Sequence, residues 1–146
     1  MRSCAAVAAS TSSTRGRRAA TGASGAGPLL RRHGDRRAAA GDPAAPVLLF
    51  AHGFSLDLST WSEQWPELSA RYRCVLMDHR SHGASGPAAD GDLTLRAMGR
   101  DLAAVLEAVS PDVPAIVVGH SMGAMAILAL AEMRPELFGP RMRAWS

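Results

Sequence analysis

The stretch VVGHSMGAMAILALA, residues 117–131, passes from a β-branched apolar run to an alanine-rich one and sets Ser121 between Gly119 and Gly123 at the junction. The first run reads as a buried strand and the second as a helix. A serine held in so tight a strand-to-helix turn must adopt a strained backbone, which needs near-absent side chains two residues to either side. Gly119 and Gly123 meet that need. The helix that follows directs its unpaired N–H groups and the positive end of its dipole at the hydroxyl, so an oxyanion forming there is stabilised. One donor is the N–H of Met122, and a second must come from another loop.

Working outward from the turn, the spacing predicts three buried strands. VLLFA (47–51) lies between Pro46 and a His52-Gly53 turn, RCVLM (73–77) precedes the polar loop DHRSHGASG (78–86), and AIVVG (115–119) leads into Ser121. A helix-like piece carries Trp61, Trp65 and Leu68 and ends near Arg71. Leu95, Met98, Leu102, Leu106 and Val109 recur at steps of three and four, which predicts an amphipathic helix over 95–109 with Thr94 as its N-cap. Met122–Met133 forms a last helix, which Pro135 helps to end. The alternation of strand and helix predicts an α/β class: a parallel sheet with right-handed crossovers and helices on both faces. In such a sheet functional groups collect in loops at the carboxyl ends of the strands, where HGF (52–54), DHRSHGASG and GHSMG all fall. The N–H of Phe54 is the second candidate donor.

GHSMG after a strand, HGF after an earlier strand, and DHRSHGAS between them together resemble the α/β-hydrolase fold family, from about Pro46 to Arg143. The resemblance implies Ser121 as nucleophile, Phe54 and Met122 as backbone donors of an oxyanion hole, and a fold truncated after the nucleophile-elbow helix. The chain departs from the family's usual pattern at Ser81 and Ala124, where glycine is common. The wording of GFSLDLSTW and GHSMG looks most like the bacterial esterase, lactonase and haloperoxidase-like branch, which implies a carboxylic ester, thioester or lactone as a small-molecule substrate. Serine rather than aspartate at the elbow argues against the epoxide hydrolase and dehalogenase branches, whose nucleophile is a carboxylate. No cofactor or metal is implied.

A serine hydroxyl needs a base, in this fold a histidine oriented by a carboxylate, and both follow the serine in the chain. No histidine follows Ser121, and the only later acids are Glu132 and Glu136. Eleven residues of helix set Glu132 roughly 16 Å along the axis from Ser121, outside hydrogen-bond reach. The expectation is therefore an inactive N-terminal part of a hydrolase, with ELFGPRMRAWS as the lead-in to a strand cut off before it forms and strand 115–119 left as an apolar edge. Two alternatives stand beside it: a non-catalytic module that binds a ligand or partner through the HGF and GHSMG loops, and an enzyme whose base is His52, His82 or a histidine of another subunit. His120 and His52 otherwise read as packing residues of their turns, and His79, Arg80 and His82 as residues that stabilise the loop.

The formal charge of +3 is unevenly spread, for residues 1–37 carry eight arginines against one aspartate while the body is net acidic. Residues 1–45, rich in Arg, Ala, Ser and Gly, cannot bury enough surface to offset chain entropy, so a disordered tail is expected ahead of a domain over 46–146. A transit peptide, a twin-arginine signal or a misplaced start are competing readings of that tail, and nucleic-acid binding is not expected. Cys4 and Cys74 have no metal spacing and no expected bridge, Cys74 being a small core residue. No apolar run is long enough to span a membrane. Cytoplasm is the default location, and the oligomeric state is open.

Overall fold

The computed structural model describes residues 37–139 and 142–145. Five strands, β1 (Arg37–Ala40), β2 (Val47–Ala51), β3 (Arg73–Met77), β4 (Ala115–Gly119) and β5 (Met142–Trp145), form one sheet in the order β1-β3-β2-β4-β5. β2, β3, β4 and β5 run parallel and β1 pairs antiparallel with β3. The three apolar runs predicted as strands have the expected bounds. Val47 to Ala51 are all buried, as a central strand covered on both faces requires.

Alternation along β2 divides the core in two. Val47, Leu49 and Ala51 face a layer made by helices α2 (Leu95–Val109) and α3 (Met122–Met133), which also pack on each other. Leu48 and Phe50 face the other way, against Leu58 and Trp61 of a 3-10 turn (Leu58–Trp61) and Trp65 of the short helix α1 (Trp65–Leu68). Both faces carry helix, but the two long helices share one of them, and the helix-like piece expected to end near Arg71 is made of two elements, the turn and α1. Thr94 caps α2 as predicted, its Oγ1 accepting from Ala97 N–H at 3.2 Å. The buried stripe of α2 runs through Met98, Leu102, Val105, Leu106 and Val109.

Two expectations from the ends of the chain are corrected. Residues 37–40 belong to the sheet rather than to a disordered tail: RAAA has no apolar pattern of its own, but its backbone pairs Ala38 with Leu76 and Ala40 with Cys74, and Ala38 is buried. Residues 1–36, with Cys4 and His33, lie outside the described residues. At the other end the strand expected to be cut off does form. β5 pairs with β4 from Ala115↔Met142 to Val118↔Trp145, so β4 is an inner strand and not an apolar edge.

Candidate active site

The sheet order fixes where loops meet. From β2 the chain moves outward to β3, then crosses to the opposite side of β2 to make β4, so the direction reverses between β2 and β4. Such a reversal opens a crevice at the carboxyl ends of the strands. Register brings the three loops level, since Ala51 pairs with both Met77 and Gly119. His52, Asp78 and His120 therefore leave the sheet side by side.

At the β4 end, Ser121 has φ 50° and ψ −113°, a conformation that non-glycine residues rarely adopt. Its flanking glycines are required by close approach. A Cβ on Gly119 would lie 2.6 Å from Ala124 N, and one on Gly123 would lie 2.8 Å from the His52 carbonyl oxygen and closer still to that of Ala51. The elbow is thus wedged against the end of β2, and His120 N–H donates to Ala51 O at 3.0 Å across the same seam. Ser121 is exposed and makes no side-chain cap bond to α3. Met122, the first residue of α3, buries its side chain.

At the β2 end, residues 53–56 make a turn in which Leu56 N–H donates to Gly53 O at 3.3 Å and Ser55, in the third position, has φ 56°, the signature of a type II turn. Phe54, in the second position, is 71% exposed. His52 is fully buried beneath it. Its Nδ1 lies 2.8 Å from Gly53 O, and its Nε2 accepts from His79 N–H at 3.0 Å. A carbonyl can only accept and an N–H can only donate, so these partners assign the neutral Nδ1–H tautomer. Burial pushes the His52 pKa below its ordinary value, with the Gly53 hydrogen bond opposing. Both nitrogens are engaged, which removes His52 as a candidate base.

The third loop is built around Asp78, whose buried carboxylate accepts from Leu58 N–H at 2.7 Å and Ala84 N–H at 2.9 Å. Gly83, at φ 53°, lets the chain wrap against it. Arg80 anchors the loop to α2 through a bidentate pair with Asp101 at 2.6 and 2.7 Å, and to the loop before α2 through Asp92 O at 2.9 Å. His79 is fully buried, and among the described residues neither ring nitrogen has a hydrogen-bond partner. Burial first, then the neighbouring His52 and His82, lowers its pKa to about 4. The rings of His79, His52, His82 and Phe54 follow one another in that order, edge to face or tilted, with centroids 4.8–5.8 Å apart. Among the described residues no group of His, Cys, Asp or Glu is arranged to hold a metal ion. The same residues contain no helix long and apolar enough to cross a membrane.

The loops that carry Phe54 and Ser121–Met122 leave adjacent strands and meet, with the His120 ring against Gly53 and Gly123 against the His52 carbonyl. The sequence reading missed the Arg80–Asp101 clamp, which no spacing rule signals, and the bond between His52 and His79, which depends on the β2–β3 register. The crevice between an elbow serine and an HG turn is also where comparison with known proteins is most informative. A sequence profile for the alpha/beta hydrolase fold matches residues 46–139. The chain belongs to that family. It is 36% identical over 100 residues to protein phosphatase methylesterase 1 of Rattus norvegicus, covering 64% of this chain and 26% of that protein. An epoxide hydrolase of Caballeronia sordidicola is 39% identical over 98 residues, covering 65% and 29%. Among solved structures, a thioesterase domain from the curacin biosynthetic pathway superposes with a TM-score of 0.63 at 32% identity, covering 74% of this chain and 41% of that one. Est816, an N-acyl homoserine lactone degrading enzyme, does so with a TM-score of 0.65 at 26% identity, covering 79% and 42%. The chain thus spans 26% and 29% of the length of these two curated relatives. These homologues are hydrolases, and the fold is that of the alpha/beta hydrolases with a mixed, mostly parallel sheet.

Proposed function

We propose that this chain carries the nucleophile half of a serine hydrolase acting on a small ester, thioester or lactone. Ser121 Oγ attacks the carbonyl carbon, the carbonyl oxygen takes the electron pair, and the N–H groups of Phe54 and Met122 hold the resulting oxyanion. The Ser121 proton passes to a base, and the oxyanion's electron pair re-forms the carbonyl and breaks the bond to the alcohol or thiol, which takes up that proton (for a lactone it stays tethered to the acyl group). Water then cleaves the acyl–serine ester and restores the serine hydroxyl. The observation that carries the reading is the exposed Ser121 at φ 50° on the N-terminus of α3, with no cap bond to occupy its hydroxyl. His52 has both nitrogens engaged and His79 is fully buried, so neither serves as the base.

A fluorophosphonate probe followed by intact-mass analysis tests this. Labelling at Ser121 is expected to be slow, to keep climbing from pH 6 to 9, to accelerate when imidazole is added, and to vanish in Ser121→Ala. A rate that levels off near pH 7 without added imidazole would identify an internal histidine base and overturn the divided-site reading. A folded chain that never labels at Ser121, with or without imidazole, is a binding module instead.

A further inference from the structure

Of the three buried polar side chains at these strand ends that the proposed chemistry does not use, His52, Asp78 and His79, it is His52 that bonds the turn offering the Phe54 N–H, through Gly53 O. A peptide unit is planar and trans, so the carbonyl of Gly53 and the N–H of Phe54 lie in one plane and point in opposite directions. Whatever grips Gly53 O therefore aims Phe54 N–H. Two donors grip it, and the His52 Nδ1–H at 2.8 Å is closer than Leu56 N–H at 3.3 Å. His52 is itself held, because His79 N–H occupies Nε2 and leaves the proton on Nδ1. The far end of the same loop is held from the same strand end, by Asp78 Oδ1 on Leu58 N–H at 2.7 Å. On a third side the His120 ring packs on Gly53, where a Cβ would lie 2.7 Å from Nδ1.

Resting on the reading of Ser121 as nucleophile, we infer that His52 is a positioning residue: in its Nδ1–H tautomer it fixes the Gly53–Phe54 peptide so that the Phe54 N–H faces the oxyanion. The imidazole transfers no proton. Its ring spans from the end of β3 to the turn after β2, which couples the direction of one backbone N–H to the register of the sheet. A buried hydrogen bond with both ring nitrogens engaged has little freedom to swing, and a preorganised donor needs that stiffness.

The test uses the whole 146-residue chain and two independent readouts. Nitrogen-15 NMR of the histidine side chains is expected to show His52 protonated at Nδ1 alone at pH 7, with a coupling from His79 N–H to Nε2. His52→Leu removes the grip, and His52→Asn returns a donor near the Nδ1 position. With folding checked by circular dichroism, His52→Leu is expected to move the Phe54 amide resonance and hasten its solvent exchange. The same variant slows phosphonate labelling of Ser121 by about a hundredfold, the effect of losing one oxyanion donor, and His52→Asn restores most of both. An Nε2–H tautomer, or a folded His52→Leu chain with an unchanged Phe54 amide, overturns the inference. Failure of the wild-type chain to label at Ser121 would sink the nucleophile reading on its own, and the NMR arm would still decide whether His52 holds the peptide.

Discussion

Ser121 and Ser81 share the left-handed region of backbone space, at φ 50° and 59°, and both stand in loops at the carboxyl ends of the two strands that flank β2. Their side chains are used in opposite ways. Ser81 Oγ accepts from Ala88 N–H at 3.0 Å and its own N–H donates to Gly86 O at 3.1 Å, so the residue closes its loop twice over. Ser121 precedes a twelve-residue helix, and serine is among the best capping residues, yet its hydroxyl makes no cap bond and stays exposed. Thr94, before α2, does cap its helix. A strained serine with an engaged hydroxyl is explained by structure alone. A strained serine whose hydroxyl is left exposed and uncapped is the better candidate for chemistry, which is the difference the proposed function rests on.

The glycines beside the two serines give the largest contrast. Gly123→Ala drives a methyl into the main chain of β2, and a strand carbonyl cannot step aside without disturbing the sheet. A loss of roughly 3 kcal/mol or more in a urea melt is expected. At Gly83 the obstacle is the Asp78 carboxylate, which can rotate at the cost of its bonds to Leu58 and Ala84. Gly83→Ala should therefore cost less than Gly123→Ala, although φ 53° adds strain of its own. Equal losses at the two positions would mean that the elbow is no more tightly wedged than the loop.

Much of this was legible from the residues. The runs 47–51, 73–77 and 115–119 and the helix 95–109 are bounded by Pro, Gly and a capping threonine, so their ends could be read, and so could the glycine-flanked serine. β1 could not, because RAAA is neither β-branched nor alternating and becomes a strand only by pairing with β3. β5 is four residues that depend on β4 in the same way. The partnerships within the site were hidden for a related reason: Arg80 and Asp101 are 21 residues apart, and His52 and His79 are 27 apart, and each pair meets only once the sheet and α2 are packed. Local pattern specifies elements, while register and packing specify which side chains meet.

Acid separates the two regions by a smaller margin. The loop after β3 holds a fully buried imidazole, that of His79, whereas His120 at the elbow is exposed. Unfolded, His79 takes up a proton near pH 6.5, and folded it resists until about pH 4. Between those values the unfolded chain binds more protons, so stability falls as pH drops through 6.5 and the loss is complete near 4. From pH 7 to 5 the urea-derived stability should fall by about 2 kcal/mol on this account. His79→Leu, which also removes two buried nitrogens without partners, should match or exceed wild-type stability at pH 7 and flatten that slope. An undiminished slope in the variant would place the acid sensitivity elsewhere.

The smallest expected effect tests the opening contrast most directly. Replacing either serine by glycine relieves a left-handed conformation that costs an L-residue on the order of 1–2 kcal/mol. At Ser121 the backbone relief has no cap bond to oppose it, so Ser121→Gly should stabilise the chain by about 1 kcal/mol while abolishing phosphonate labelling. At Ser81 the substitution also breaks the bond from Ala88 N–H, which contributes about 1 kcal/mol, so Ser81→Gly should be close to neutral. Paired melts of the two variants read the difference without any assay of activity. If Ser121→Gly proved neutral or destabilising while Ser81→Gly stabilised, the hydroxyl at the elbow would be a structural ligand after all, and its strain would no longer point to a reaction. A gain confined to position 121 means that the native chain keeps a serine there at the expense of its own stability, as a site held for chemistry does.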